Sequence, residues 1–203
     1  MNQEKDVTDK IGSTRRTFLK RSAAGATLAT IPAKSVWATG ITNSIVASGH
    51  GSDFAGGVPL KLQRPWYWQN RQGSIQASLL DSSFSTVFGG QPFADNMGTA
   101  LKKRGTGEDL TVRDVIVGIG SGNNNWVYRG PANVNGLLIS AYLSAVYTGV
   151  PMFDVNFPVV GPNKPFQMNE VLAMKLYQMA QPNPQLMGQE LAQLHDNPTT
   201  FRP

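Results

Sequence analysis

The stretch "VNGLLISAYLSAVY", residues 134–147, is apolar on nearly every side when it is drawn as a helix. Gly149 and Pro151 follow it, and both residue types end helices. The stretch is shorter than the roughly 20 apolar residues that a membrane-spanning helix needs. We therefore expect a helix that is buried in the core or in a subunit contact, and no transmembrane span in the mature chain.

Helical patterns continue after this segment. Residues 169–181 have apolar side chains at helical spacing, and Pro182 and Pro184 separate them from a last helix near 185–195. A short helix is also expected at 95–103, with Gly105 as its stop.

One more helix is predicted from its cap. Thr111 and Asp114 form a variant of the capping box. The apolar face of this helix would consist of Val112, Val115, Ile116 and Ile119. Its β-branched content leaves a strand as the alternative.

The region before these helices has a different composition. Residues 39–95 are rich in Gly, Ser and Pro, as in "SGHGSDFAGG" at 48–57, and predict loops and short extended pieces wrapped on the rest. The predicted fold is mainly α, with a small helical core at 96–203 and a long, loop-rich, irregular N-terminal region. Residues 39–95 and 96–203 would form one domain.

The first 38 residues have the three parts of an export signal. The stretch "STRRTFLKRSAAGATLATIPAKSVWA", residues 13–38, has a basic start, a short weakly apolar run and a small-residue cleavage site after Ala38. It resembles the twin-arginine (Tat) signal. The residues that carry this resemblance are Arg15, Arg16, Phe18, Leu19 and Lys20. The resemblance implies contact with the Tat translocase and a periplasmic or secreted protein, with retention of the signal as an anchor being the lesser alternative.

Charge and composition exclude several classes of function. The chain has a formal net charge of +5, but residues 1–38 hold seven of its 18 Lys and Arg and three of its 13 Asp and Glu. The remainder is close to neutral, which argues against nucleic-acid binding. The cluster Lys102-Lys103-Arg104 is interpreted as a solvated helix end. With no Cys and only two distant His, a transition-metal site is not expected. Asp and carbonyl oxygens leave a hard cation as the alternative, but no run resembles a calcium loop, and we expect neither a metal site nor a cofactor in this chain.

Two glycine-rich segments invite a catalytic interpretation. Gly118 and Gly120 fit the start of a phosphate loop, but the pattern then fails, and Ser121 lacks the glycine spacing of a hydrolase elbow. We interpret this segment as a flexible turn. His50 and Asp53 lie three residues apart in another glycine-rich loop, which would be the first place to look for catalysis. We interpret this segment as a mobile surface loop instead.

Aromatic and amide side chains concentrate in two other stretches, "RPWYWQN" at 64–70 and "SGNNNWVYRGPANVN" at 121–135. Three interpretations stay open: core and turns, a protein interface, or a ligand site for carbohydrate or peptide. The candidate binding residues are Trp66, Tyr67, Trp68, Asn124, Trp126, Tyr128 and Arg129.

The C-terminal half also resembles a known family in two places. "AVYTGV" at 145–150 and "EVLAMKLYQMAQP" at 170–182 are similar to segments of the small subunits of membrane-bound, flavin-dependent sugar and polyol dehydrogenases. The resemblance implies a Tat-signalled helical protein that has no cofactor of its own and accompanies a larger subunit, which could carry a flavin.

The leading hypothesis is therefore a noncatalytic accessory subunit that escorts a partner, an oxidoreductase, through the Tat route. The alternatives are a stand-alone carbohydrate-binding protein or hydrolase, and a structural component of an extracellular assembly. No pair of acid and base residues stands out that would decide for an enzyme.

Overall fold

The computed structural model describes residues 60–95, 101–103, 105–118, 128–162 and 164–196. These ranges are mainly helical and contain no strand, which confirms the predicted fold class. Seven α-helices lie within them. They are α1 (Pro65–Gln69), α2 (Ala77–Leu80), α3 (Phe84–Phe88), α4 (Val112–Val117), α5 (Val134–Val146), α6 (Asn169–Ala180) and α7 (Pro184–Asp196). Gln72–Ser74 and Pro131–Asn133 form 3₁₀ turns.

Helix α5 is the centre of the structure. Every residue from Val134 to Ala145 is buried, as its nearly continuous apolar sequence predicts. Helices α1, α4, α6 and α7 all contact α5, whereas α3 packs on α6 and α2 on α4. Burial of large side chains such as Leu138 and Leu143 stabilises the fold by about 2 kcal/mol each.

The predicted cap of α4 is confirmed. The Thr111 side chain accepts a hydrogen bond from the Asp114 backbone N–H at 3.1 Å, and the Asp114 carboxylate accepts from the Thr111 backbone N–H at 3.0 Å. Helix α4 ends at Gly118, whose φ of 69° lies in the left-handed region that favours glycine. The segment is thus a helix rather than the alternative strand.

The helix predicted at 95–103 is not formed where the chain is described. Lys102 pairs with Asp109 in an isolated antiparallel bridge, and its ammonium group forms an ion pair with the Asp109 carboxylate. Lys103 Nζ lies 3.5 Å from Asp114 Oδ1. Lys102 and Lys103 therefore pair with acidic residues in a non-helical segment, which corrects their interpretation as part of a helix end. Residues 96–100 and 104 lie outside the described ranges.

Between residues 60 and 95 the chain forms the short helices α1–α3 joined by turns, where loops and short extended pieces were expected. From this region, isolated antiparallel bridges join Lys61 to Asn156 and Ser83 to Thr111. Its apolar side chains belong to the same core, since Trp68, Phe84 and Phe88 are all buried. This part of the N-terminal region is therefore packed on the helical core.

Asn135 connects α5 to two flanking segments. Its side-chain amide donates to the carbonyls of Phe93 at 2.9 Å and Tyr128 at 3.0 Å, and its Oδ1 accepts from the Phe93 backbone N–H at 2.9 Å. The backbone N–H of Asn135 also donates to Arg129. One buried amide thus fixes the position of the chain at both 93 and 128–129.

None of the helices in the described ranges is long and apolar enough to cross a membrane.

Candidate functional site

A cavity of about 290 Å³ lies between α1, the 131–133 turn, α5 and α7. Helix α7 reaches it through the face that carries Ala192, His195 and Asp196, which follow one another at helical spacing. Leu137 of α5 forms an apolar part of the wall. The polar and aromatic lining residues are Arg64, Trp66, Arg129, Asn133, His195 and Asp196.

His195 lines this cavity, but its Nε2 atom is buried and not exposed at the cavity surface. Only 6% of the residue is exposed, and its Nδ1 lies 2.6 Å from the carbonyl oxygen of Leu191. Because a carbonyl oxygen accepts only, Nδ1 must carry the hydrogen, and Nε2 then has a free lone pair. Nε2 has no hydrogen-bond partner among the described residues.

Burial also keeps His195 neutral. Removal from water lowers the pKa of His195 to about 4, and the positive charge of Arg64 acts in the same direction. The hydrogen bond to Leu191 and the nearby Asp196 carboxylate raise the pKa, but by less than burial lowers it. At neutral pH the ring is therefore a fixed hydrogen-bond acceptor.

Charged groups line the rest of the wall. The guanidinium of Arg64 forms an ion pair with the Asp196 carboxylate, and both side chains are partly exposed. Arg129 is half-buried, and desolvation lowers its pKa to about 10, so it stays a cation at neutral pH. The described lining thus carries two guanidinium groups and one carboxylate.

The 131–133 turn has an unusual backbone. Ala132 and Asn133 both have positive φ, 48° and 61°, and they follow Gly130 at 67°. Two consecutive non-glycine residues in this region are uncommon, because the Cβ atom lies too close to the following carbonyl. The turn packs on α7 at Gly188, where an added Cβ would lie 2.7 Å from the Ala132 carbonyl oxygen.

The structure separates the candidate binding residues of the sequence analysis. Tyr67, Trp68 and Tyr128 are buried in the core, one of the interpretations left open. Trp66 is 57% exposed and lines the cavity together with Arg129, which brings one residue from each aromatic stretch to the same place.

Several other candidates lie outside the described residues. Asn124 and Trp126, together with the glycine-rich segments at 48–57 and 119–122, belong to this group. So do the signal residues Arg15, Arg16, Phe18, Leu19 and Lys20 and the cleavage site at Ala38.

In the sequence, His195 is only one of two distant His, whose separation argues against a metal site. The signal that could have placed it at the cavity is the spacing of Gly188, Ala192 and His195, which share one face of α7. The contribution of Arg64 and Asp196 depends on tertiary packing, and no local pattern indicates it. Within the described ranges, no three His, Cys, Asp or Glu side chains lie together as metal ligands would.

A second surface feature lies on α6 and just before it. Met168, Val171 and Met174 are 57%, 38% and 41% exposed, and their spacing of three residues places them along one side of the helix. A side chain on Gly89 would lie 3.4 Å from Met174 Cγ, so Met174 rests on the turn that ends α3. We call Met168, Val171 and Met174 the methionine row.

The chain was compared with protein-family models, curated proteins and solved structures, and no match was found in any of the three. The site is therefore interpreted from its own geometry.

Proposed function

We propose that this protein is a noncatalytic accessory subunit, exported by the twin-arginine route, that binds and escorts a larger protein. The partner would be an oxidoreductase that carries a flavin and has no export signal of its own. The observation that carries the proposal is the exposed methionine row on α6. The twin-arginine pattern at residues 15–20 and the resemblance of residues 145–150 and 170–182 to dehydrogenase small subunits support it.

The methionine row has the properties of a docking surface for a protein. Methionine is flexible and polarisable, so it adapts to the shape of a partner. Exposed Glu170 and Lys175 lie beside the row and supply a polar rim, which is the usual arrangement around the apolar centre of an interface. Leu172, Ala173 and Leu176 fix the opposite side of α6 in the core. The row is thus presented on a rigid element.

The proposal can be tested by purifying the protein gently from the periplasm of cells that carry its native gene cluster. We expect a stoichiometric larger partner with the absorbance spectrum of a flavin. Replacing Met174 with Glu would place a charge within the apolar row and should weaken co-purification by about tenfold or more. The control is Met152→Glu, because Met152 is 62% exposed but lies outside α6.

Export supplies a second readout. If the partner depends on this chain for transport, the double change Arg15→Lys and Arg16→Lys should leave both proteins in the cytoplasm. A colourless monomer recovered alone, or a partner exported normally with the double-lysine chain, would contradict the escort role.

A further inference from the structure

Methionine is unevenly distributed between the surface and the core of the described residues. Met187 is the one methionine among their buried hydrophobic side chains. Three of their six exposed large hydrophobic residues are methionines, namely Met152, Met168 and Met174. Two of these three belong to the methionine row. The described part of the chain therefore carries this oxidisable side chain more often on its surface than in its core.

The thioether groups of the row are open to small solutes. Met168 is 57% exposed and Met174 is 41% exposed. A Cβ atom added to Gly89 would lie 3.4 Å from Met174 Cγ and 3.9 Å from its Sδ. Gly89 is itself exposed, so the Met174 sulfur lies at the surface of the protein. Hydrogen peroxide, which is a small molecule, can reach side chains in such positions.

Hydrogen peroxide oxidises a thioether without a further reactant. The O–O bond of the peroxide breaks, one oxygen atom forms an S–O bond, and the other oxygen leaves as water. The sulfur loses two electrons and the peroxide gains them. The product, methionine sulfoxide, is polar, and methionine sulfoxide reductases return it to the thioether.

We propose that Met168 and Met174 form a reversible oxidation site, at which peroxide turns the methionine row from an apolar into a polar surface. The inference rests on the proposed docking role of the row and adds a condition to it, because only the reduced chain binds the partner. A sulfoxide oxygen that is buried against an apolar surface loses its hydrogen bonds with water. Oxidation should therefore weaken docking by about tenfold.

The first test locates the oxidised residues. The purified full-length chain is treated with hydrogen peroxide at pH 7, and peptide mass spectrometry follows the addition of one oxygen atom at each methionine. We expect Met168 and Met174 to react at least about tenfold faster than Met187, because susceptibility follows exposure and Met187 is 2% exposed. Circular dichroism checks that the treated chain is folded.

The second test measures the apolar character of the row on a phenyl matrix, which requires no partner. Peroxide treatment should weaken retention of the chain on this matrix. The two methionine sulfoxide reductases, which act on opposite sulfoxide epimers, should restore retention.

Variants assign this change to the row. The double variant Met168→Leu and Met174→Leu stays apolar but cannot form a sulfoxide. Its retention should respond to peroxide much less than that of Met152→Leu, the matched control, which loses an exposed methionine outside the row.

Three results would overturn the inference. They are oxidation of the row no faster than that of Met187, unchanged retention after peroxide treatment, and an equal response of the double variant and Met152→Leu. If a partner co-purifies and binds the oxidised chain as tightly as the reduced chain, the inference also fails while the escort role stands. Selective and reversible oxidation of a chain that co-purifies with nothing would instead contradict the escort role and leave the oxidation site standing.

Discussion

Lowering the pH should destabilise the fold through His195. An unfolded histidine has a pKa near 6.5, whereas burial lowers the pKa of His195 to about 4 in the folded protein. A group whose folded pKa is depressed contributes stability that is present above the unfolded pKa and lost as the pH falls toward the folded pKa. For His195 the loss therefore occurs between about pH 6.5 and pH 4.

The magnitude follows from the size of the shift. Each pKa unit corresponds to about 1.4 kcal/mol, so a folded pKa of about 4 in place of an unfolded pKa near 6.5 lowers the free energy of unfolding by about 3 kcal/mol at pH 4. Such a loss is a large fraction of the stability of a small domain. Burial is the first cause, and the surrounding groups that modify it are Asp196, Arg64 and the Leu191 carbonyl.

The assay compares variants so that other titrating groups cancel. Urea unfolding is followed by circular dichroism from pH 7 to pH 4 for the natural chain and for His195→Gln, which has no titrating ring. The difference between their free energies of unfolding should change by about 3 kcal/mol across this range. His50→Gln serves as the control. NMR titration of the His195 ring, which should stay neutral down to about pH 4, gives an independent reading. A difference curve that is flat to within about 1 kcal/mol, or a ring that titrates near pH 6.5, would refute the reasoning.

Three other changes test the core and the cavity wall. Asn135→Ala removes three side-chain hydrogen bonds to the segments at 93 and 128, and should lower the free energy of unfolding by about 3 kcal/mol in urea unfolding. Gly188→Ala places a Cβ 2.7 Å from the Ala132 carbonyl oxygen, so it should lower the free energy of unfolding by about 1–3 kcal/mol in the same assay. Ala192→Gly is the comparison, and it should lower the free energy of unfolding only by the roughly 1 kcal/mol that the poorer helix propensity of glycine costs. Burial raises the pKa of Glu190, whose carboxylate oxygens have no partner among the described residues. The contribution of the Glu190 carboxyl group to the free energy of unfolding is therefore fully present below the unfolded pKa of about 4.3. It is lost as the pH rises through the higher pKa of the folded protein. Glu190→Gln should accordingly raise the melting temperature at pH 7 and make no difference, or lower it, at pH 4; an unchanged melting temperature at pH 7 would contradict this.

The long helices could be predicted from sequence because each has a periodic signal and a clear stop. Helices α5, α6 and α7 begin and end within about two residues of the predicted bounds, which is the usual uncertainty of helix ends. Helix α4 was predicted from the reciprocal hydrogen bonds that Thr111 and Asp114 can form. These features are local, and local features are what a sequence displays.

The short helices could not be predicted because they have no periodic signal. Helices α1–α3 have only four or five residues each, too few for a hydrophobic period to repeat. The segment near Lys102 formed a bridge because Asp109 lies across the turn and pairs with it. A pairing of this kind depends on how the chain folds back, so propensity alone gave the wrong element.

The candidate site was predictable only in part. The two aromatic stretches were recognised, and Trp66 and Arg129 do lie at one cavity. The sequence could not show that Trp66 faces outward while Trp68 is completely buried, because a five-residue helix can be turned either way. The role of His195 depends on a hydrogen bond to Leu191 and on burial beneath other elements, which only the tertiary structure provides.

Because α5 is covered on all sides, its 13 residues become exposed together whenever the chain is unfolded. The segment has no charged residue, so nothing in it repels a second copy of the same unfolded chain. Unfolded molecules at high concentration would therefore associate through this segment before they could fold. A transport route that moves folded proteins would keep α5 covered during the passage through a membrane, whereas threading an extended chain would expose it on both sides.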